Sequence, residues 1–196
     1  MSNNSQGAGY LVPTSTQGFP KGLSLTQFIQ TVLVGVSEIP GTLVRPKYQV
    51  EPLSQPDIYT DWLSFGILSS APDANAYLNT NTDNSYSMQR HALTEISLSF
   101  YGPNALDNYE LVRDGFQVTQ NLAALKANGL GFVEVTRALR VPDLINERWV
   151  DRYESSVILR KETQRTYAVT TFVSANGTIN TVVGTEDYVI AWTTNT

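Results

Sequence analysis

The sequence predicts an α+β protein: a mixed, mainly antiparallel sheet with one long helix and a shorter N-terminal helix packed on it, extended by a C-terminal β-hairpin. Three observations predict this class. Residues 25–36 and 105–125 repeat apolar side chains at helical spacing. Several segments between and after them alternate apolar and polar residues, as half-buried strands do. The last third of the chain is dominated by such alternating segments.

The chain of 196 residues is long enough for one domain or two small ones. We expect a core domain at residues 23–173, a flexible N-terminal arm at residues 1–22 and a hairpin or strand extension at residues 174–196. The arm is expected because the first 24 residues carry one charge, Lys21, and show no periodicity. Such an arm is either a disordered tail or a segment that becomes ordered on a neighbouring subunit.

The shorter helix is expected directly after the arm. Ser24 is a suitable N-cap, and apolar residues follow at helical spacing from Leu25 to Val36. The sequence Ile39-Pro40-Gly41 ends this helix, because proline cannot continue it.

Two strands are expected in the first half of the chain. Residues 62–68 alternate, with Trp62 and Ser64 on one side and Leu63 and Phe65 on the other. Residues 90–101 alternate still more clearly. Between them, residues 69–88 are rich in Asn and Ser and are expected to form a long polar loop, which is usually functional or disordered.

The long helix is expected to begin near Pro103 or Asn104 and to run for about 23 residues to the stop signal Ala127-Asn128-Gly129. Two lines of apolar residues support it. They are Ala105, Tyr109, Val112 and Phe116, and Leu111, Val118, Leu122 and Leu125. We expect this helix to lie across the sheet.

The C-terminal part is expected to be β-structure, with strands near residues 132–138, 149–161 and 165–173. Asn176-Gly177 is the strongest short signal for a hairpin turn, so strands are expected on either side of it, with a last strand at residues 187–193. Asn176-Gly177-Thr178 also matches a glycosylation sequon, but we interpret it as a turn.

Composition excludes several function classes. Cysteine is absent, which excludes disulfides, thiolate metal sites and a cysteine nucleophile. The net charge of −5 argues against a protein that wraps nucleic-acid phosphates. The longest apolar stretch, at residues 31–36, is far shorter than the ~20 residues that cross a bilayer. The first 17 residues also lack the basic and apolar regions of a signal peptide, so we expect no membrane partner and no export.

No catalytic, cofactor-binding or metal-binding residue is predicted. His91 is the single histidine, and Glu95 follows on the same face of a strand, but a metal site needs three or four ligands. The nucleotide-binding and nucleophile-elbow glycine motifs are absent from the sequence. Asp107, Glu110 and Asp114 follow one helix at spacings of three and four, which favours a solvated helix face over a glycosidase pair.

A loose group of basic residues lies in the second half of the chain. We expect surface or intersubunit ion pairs there in preference to a track for phosphates. The group comprises Arg137, Arg140, Arg148, Arg152, Arg160, Lys161 and Arg165.

What remains is a composition typical of assembly. Only 16% of the residues are charged, and the chain contains ten Tyr and three Trp, residues that are enriched at protein interfaces. An alternative from another class is a small hydrolase or carbohydrate-binding domain that uses Trp62, Trp149 or Trp192 as an aromatic platform.

The central sequence resembles a known family. The segment RHALTEISLSFYGPNALDNYELVRDGFQ (residues 90–117) is similar to the strand, SFYG turn and helix of neck or tail-terminator proteins of contractile-tailed phages. The segments YTDWLSFGILSS (residues 59–70) and GFVEVTRALRVPDLINERWVDRYESSVILR (residues 131–160) fit the same pattern. The resemblance covers about residues 23–173.

The resemblance implies a structural virion protein of the tail or neck, assembled in the host cytoplasm and without catalytic residues. Family members form a ring, usually of six subunits, that stops growth of the tail tube. The ring joins tube and sheath to the head-to-tail connector or adaptor proteins, and genomic DNA passes through its channel without specific binding. Another ring-forming tail component, such as a tube, completion or baseplate-adaptor subunit, is the alternative within this class.

Overall fold

The computed structural model describes residues 10–18, 23–51, 53–81, 85–145, 147–168, 174–183 and 186–195. The chain divides into two compact units. The larger unit is formed by described residues of the ranges 16–77 and 88–164. The smaller unit is formed by described residues of the ranges 1–15, 78–87 and 165–196.

Strands outnumber helices among the described residues. The elements, in chain order, are β1 (Ser15–Gly18), α1 (Leu23–Ser37), β2 (Val44–Pro46), β3 (Trp62–Pro72), β4 (Tyr77–Thr80), β5 (Ser85–Tyr101), α2 (Ala105–Gly115), α3 (Thr119–Ala127), β6 (Leu130–Val135), β7 (Leu139–Arg140), β8 (Asp143–Ile145), β9 (Arg148–Val150), β10 (Arg152–Ala168), β11 (Ser174–Val183) and β12 (Glu186–Asn195).

Most of the strands belong to one mixed sheet. Its central order is β1-β10-β5-β3-β2, with β4 paired to β5, and β6 and β7 paired to β10. The β2–β3 pair is parallel, whereas β3–β5, β6–β10 and β7–β10 are antiparallel. The short β8 and β9 pair with each other as a separate hairpin.

The core of the larger unit lies between one face of this sheet and the helices. Leu63 pairs with Phe100 and Phe65 pairs with Leu98 in the β3–β5 register, and all four side chains are buried. The helices cover this face with their own buried residues: Leu25, Ile29 and Leu33 of α1, Ala105, Tyr109 and Val112 of α2, and Leu125 of α3. The predicted helix is confirmed as α1, and it ends before Pro40. It begins at Leu23, so Ser24 lies in its first turn and is not its N-cap.

The expectation of one long helix and a shorter helix on the sheet is wrong. The long segment is two short helices, α2 and α3, and α1 with 15 residues is the longest of the three. Helix α2 ends at Gly115, and Val118 adopts an extended conformation (φ −73°, ψ 123°) before α3 begins. Asn121 stabilises the break because its side-chain amide donates a 2.8 Å hydrogen bond to the Gly115 carbonyl.

The break has a packing reason. The two lines of apolar residues lie at different angles around the helix axis, so one straight helix cannot turn both toward the sheet. With the break, Phe116 and Leu125 are both buried, whereas Leu111 and Val118 stay exposed. The fold is therefore sheet-dominant with three short helices.

The expected polar loop at residues 69–88 is also wrong. Strand β3 continues to Pro72, and its last part pairs with β5 through Ala71 opposite Leu93 and Pro72 opposite Ala92. Strand β4 lies in the same segment, and β5 already begins at Ser85. The outer part of β3 and all of β4 are exposed, so these strands lack the apolar alternation that marks a half-buried strand.

The smaller unit contains the β11–β12 hairpin. Its register runs from Ser174 opposite Asn195 to Val183 opposite Glu186. The expected turn at Asn176-Gly177 is wrong, because both residues pair within β11, with Thr193 and Trp192.

Part of the expected N-terminal arm is described. Residues 15–18 form β1, which neighbours β10, and the Thr14 amide donates a 2.8 Å hydrogen bond to the Thr166 carbonyl. Residues 1–9 and 19–22 lie outside the described residues. Within the part of the chain that is described, no helix has the length and apolar character needed to cross a bilayer.

Candidate functional site

The face of the sheet turned away from the helices carries a trough in the larger unit. On this face Trp62 lies opposite Tyr101, and Ser64 lies opposite Ser99. A first cavity of about 560 Å³ opens over these residues. It is lined by Arg45, Pro46, Lys47, Gln49, Leu53, Gln55, Trp62, Ser64, Ser99, Tyr101, Asp143, Ile145, Arg152 and Glu154.

A second cavity of about 330 Å³ lies beside the first, and Lys47 and Glu154 line both. We call the two cavities together the trough. The other residues lining the second cavity are Tyr48, Leu68, Ser97, Leu98, Thr136, Arg137, Leu139, Ser155 and Ser156.

An ion-pair cluster lies at the centre of the first cavity. Arg152, at the start of β10, contacts the Asp143 carboxylate of β8, and its guanidinium lies 3.2 Å from the Glu154 carboxylate. The guanidinium carbon also lies 5.9 Å from the ring centroid of Tyr101. Burial acts to lower the pKa of Arg152, but the electrostatic effects of Tyr101, Asp143 and Glu154 outweigh it and raise that pKa. Arg152 therefore stays charged and holds β8 against β10.

An aromatic stack forms one wall. The rings of Trp62 and Tyr101 are parallel within 6°, with centroids 4.1 Å apart. Trp62 on β3 and Tyr101 on β5 are directly opposite each other on neighbouring strands, and Arg152 lies next to Tyr101. Tyr101 therefore covers one face of the Trp62 ring.

Lys47 is half-buried and lines both cavities. Its ammonium donates a 3.2 Å hydrogen bond to the Ser97 hydroxyl, which donates in turn to the Gly66 carbonyl at 3.2 Å. Burial lowers the pKa of Lys47, Glu154 acts in the opposite direction, and Arg152 adds to the lowering. A Cβ atom at Gly66 would stand 2.9 Å from the exposed Tyr48 ring, so a side chain at this position would push that ring aside.

A β-bulge brings an apolar residue to the second cavity. The β3–β5 register shifts between Ile67 and Ser69, which leaves Leu68 out of the ladder. The Leu68 side chain is 57% exposed and lines the second cavity, as does Tyr48. The trough thus combines charged groups at its centre with exposed apolar groups at its ends.

This arrangement suits contact with another macromolecule. Its carboxylates are engaged by Arg152, and charged and apolar side chains are exposed along its rim. Among the described residues, no group of three or more His, Asp or Glu side chains is placed to hold a metal ion.

The histidine and the carboxylates singled out from the sequence lie elsewhere. His91 lies on β5, where its main-chain carbonyl accepts a 3.0 Å hydrogen bond from the Asp73 amide. Glu95 accepts a hydrogen bond from Ser69 at 3.3 Å. The solvated helix face is confirmed, since Asp107, Glu110 and Asp114 are all exposed on α2.

The expected surface ion pairs are confirmed for three of the basic residues. Arg152 pairs as described above. Arg140 approaches Asp151 at 2.6 Å, and Arg160 approaches Asp73 at 3.0 Å. The side chains of Arg137 and Arg148 have no ion pair or hydrogen bond within the described residues.

The three tryptophans do not share a cleft among the described side chains. Trp62 forms the wall of the trough, whereas Trp149 is 72% exposed and lines a separate cavity of about 280 Å³ with Tyr59 and Arg148. Trp192 lies on β12, and its side chain is outside the described part.

The sequence did not identify Lys47, Tyr48, Asp143 or Leu68 as site residues. One signal was available: the side of β3 that carries Ser64 and Gly66 is small and polar, which is typical of a strand face that another chain segment approaches closely.

No curated protein matches the sequence. A family model described as phage neck terminator protein matches residues 23–185, a range that contains the helices, the whole trough and β11. The resemblance found in the sequence is confirmed by this match, and the chain belongs to the phage neck terminator family, whose members are structural components of the virion neck and tail.

Proposed function

We propose that this chain closes into a ring of six subunits that terminates the tail tube of a contractile-tailed phage. The ring links tube and sheath to the head-to-tail connector and leaves a channel for DNA. The family match over residues 23–185 is the observation that carries the proposal. Such a role needs contact surfaces in place of a catalytic centre, and we assign no catalytic, cofactor-binding or metal-binding residue.

A ring requires heterologous contacts, in which one patch meets a different patch on the next subunit. We assign part of these contacts to the arm at residues 1–22 and to the extension at residues 174–196, outside a core at residues 23–173. The β11–β12 hairpin supports this assignment. It pairs with no third strand among the described residues, and a two-stranded hairpin alone is marginally stable in water.

The acidic balance of the chain suits a DNA channel. Each copy carries a net charge of −5, so six copies carry −30. A negative lumen repels phosphates, so that DNA slides through without specific binding. We propose that the ring assembles in the host cytoplasm and remains in the virion.

The oligomeric state of the purified protein tests the proposal. Mass measurement by light scattering should give a closed oligomer, and negative-stain microscopy should show single rings. Long tubes would instead favour a tube subunit. A monomer at all concentrations would contradict the ring, and a carbohydrate-dependent rise in melting temperature would then favour a binding domain.

Two deletions test the ring contacts. Removal of residues 1–18, and separately of residues 174–196, should weaken ring formation. Circular dichroism of both variants checks that the remaining chain is folded. Unchanged oligomers of folded deletion variants would contradict the assignment of the ring contacts while leaving the ring itself in place.

A further inference from the structure

We propose that the trough of one copy receives the outer face of α2 from a second copy, through complementary charge. The inference rests on the proposed ring and names two unlike surfaces that meet within it. Both surfaces belong to the larger unit.

The trough has a positive net charge, whereas the whole chain has a negative one. Arg152 is paired with the two carboxylates of the trough, Asp143 and Glu154. Arg45 donates to the main-chain carbonyls of Thr42 and Ser54 at 2.9 and 2.7 Å, which leaves its charge without a carboxylate.

Two further cations line the trough. Lys47 donates to the Ser97 hydroxyl, and Arg137 is exposed with no hydrogen bond or ion pair to any described residue. With Arg45, Lys47, Arg137 and Arg152 against two carboxylates, the trough has a net charge of +2 in a chain of net charge −5. Charge complementarity therefore predicts an acidic occupant.

The outer face of α2 has the opposite character. Asp107, Glu110 and Asp114 are exposed there, and Arg113 lies 2.9 Å from Asp114 and 3.9 Å from Glu110. Three carboxylates against one guanidinium leave a net charge of −2. Leu106 and Leu111 are also exposed on this helix, so it offers apolar contact area beside its charges.

The dimensions of the two surfaces agree. From Trp62 to Leu68 the trough follows β3 for about 20 Å, at roughly 3.3 Å per residue. Helix α2 has 11 residues and is about 16 Å long at 1.5 Å per residue. The apolar residues at the rim, Leu53, Tyr48 and Leu68, are exposed and can pack against the leucines of α2.

The position of the two surfaces favours a ring over a closed dimer. Helix α2 packs on the core face of the sheet, and the trough lies on the opposite face of the same sheet. A contact between opposite faces is heterologous, so it builds a ring where the rotation from copy to copy closes and an open filament where it does not. DNA is the other acidic candidate, but the net charge of −5 of the whole chain argues against binding to nucleic-acid phosphates.

A charge swap tests the contact. Arg137→Glu and Glu110→Lys should each raise the apparent dissociation constant of the oligomer about tenfold or more at low salt, because attraction becomes repulsion. The double variant R137E/E110K restores opposite charges at every contact, so it should recover most of the loss. The measurement is sedimentation velocity over a concentration series, at low and high salt.

Two matched controls carry the same charge changes elsewhere. Lys126→Glu on α3 and Glu134→Lys on β6 alter exposed residues outside both surfaces and should leave the dissociation constant within about twofold. Melting temperatures of all variants identify any that fail to fold. Lys47→Gln is a second trough variant, and it should also raise the apparent dissociation constant of the oligomer.

Cross-linking gives an independent measurement, because the chain contains no cysteine. Leu111→Cys and Leu68→Cys proteins, mixed and treated with a bismaleimide, should form a cross-linked dimer that depends on both cysteines. Val133 on β6 is similarly exposed. A Val133→Cys protein should form no cross-linked dimer with either the Leu111→Cys or the Leu68→Cys protein.

The outcomes separate the inference from the ring itself. A wild-type ring that persists in R137E, E110K and K47Q, or a lack of rescue in the double variant, overturns the trough contact alone. A wild-type chain that forms no oligomer and no cross-link overturns the ring as well. Salt-dependent binding of a labelled DNA duplex that R137E abolishes would make DNA the occupant and would also overturn the inference.

Discussion

Gly115, the last residue of α2, lies so close to α1 that a Cβ atom on Gly115 would stand 2.8 Å from the Cβ atom of Val36. Real Cβ atoms do not approach this closely, so the absence of a side chain allows the two helices to touch. The same residue ends α2, and its carbonyl accepts the hydrogen bond from Asn121. Gly115 thus lies both at the contact between α1 and α2 and at the break between α2 and α3.

Gly115→Ala should lower the free energy of unfolding by about 1–2 kcal/mol. The added methyl overpacks the contact with Val36, which outweighs the small helix-propensity gain at a helix terminus. Urea denaturation measures the change. Gly35→Ala is the matched control: Gly35 is exposed within α1 and nothing lies within 4 Å of its Cβ position, so this variant should gain about 0.5–1 kcal/mol. Equal stabilisation in both variants would contradict the close contact.

Asp61→Ala should lower the free energy of unfolding by about 1 kcal/mol. The Asn104 side chain makes no cap of its own at the start of α2. Asp61 instead accepts hydrogen bonds from the Asn104 amide at 2.9 Å and from its side-chain amide at 2.8 Å. Thermal unfolding followed by circular dichroism measures the effect. Glu51→Ala removes an exposed carboxylate and should change little, and an equal loss there would argue against a specific role for Asp61.

The sequence predicts a helix or strand well where its regularly spaced apolar residues all lie on one buried face. Strand β3 and helix α1 are such cases, because Leu63, Phe65, Leu25 and Ile29 all face the core. It fails at the long helix because apolar residues such as Val118 fit the helical spacing although they are exposed. It fails at Asn176-Gly177 because the pairing partners across the hairpin decide the turn, and local turn chemistry does not reveal them.

The trough was harder to predict than the fold. Arg152 could be noted as part of a basic group, but its pairing with Asp143 requires the hairpin β8–β9 to fold back on β10. Leu68 reaches the second cavity only because of the bulge in β3. Lys47 follows a proline in an irregular segment, and nothing in that local sequence indicates that it is half-buried.

Asp143→Asn should speed amide hydrogen exchange in residues 143–150 by about tenfold, because it weakens the charge-assisted bond to Arg152 that tethers this hairpin. Asp151→Asn is the control. The Arg140–Asp151 pair is solvent-exposed, and such pairs contribute little. Hydrogen-exchange mass spectrometry compares the two variants. Equal acceleration in both, or none in D143N, would contradict the tether.

Lys47→Met tests the electrostatics at the centre of the trough. Burial lowers the pKa of Lys47 in the folded chain below its ordinary value of 10.5, so the unfolded chain binds more protons between the two values. In that pH window the stability of the wild-type protein should therefore rise with pH relative to K47M. Below the lowered pKa the difference between the two proteins should be constant, since Lys47 is then charged in both states.

Guanidinium denaturation of both proteins across this window measures the effect. Guanidinium screens charge, so urea is used in parallel to keep the interactions with Glu154 and Arg152 intact. Lys126→Met is the matched control, because Lys126 is exposed at the end of α3 and is not desolvated on folding. A wild-type stability that runs parallel to that of K47M through the whole window would mean that the Lys47 ammonium remains hydrated. That result would contradict desolvation of Lys47 in the trough.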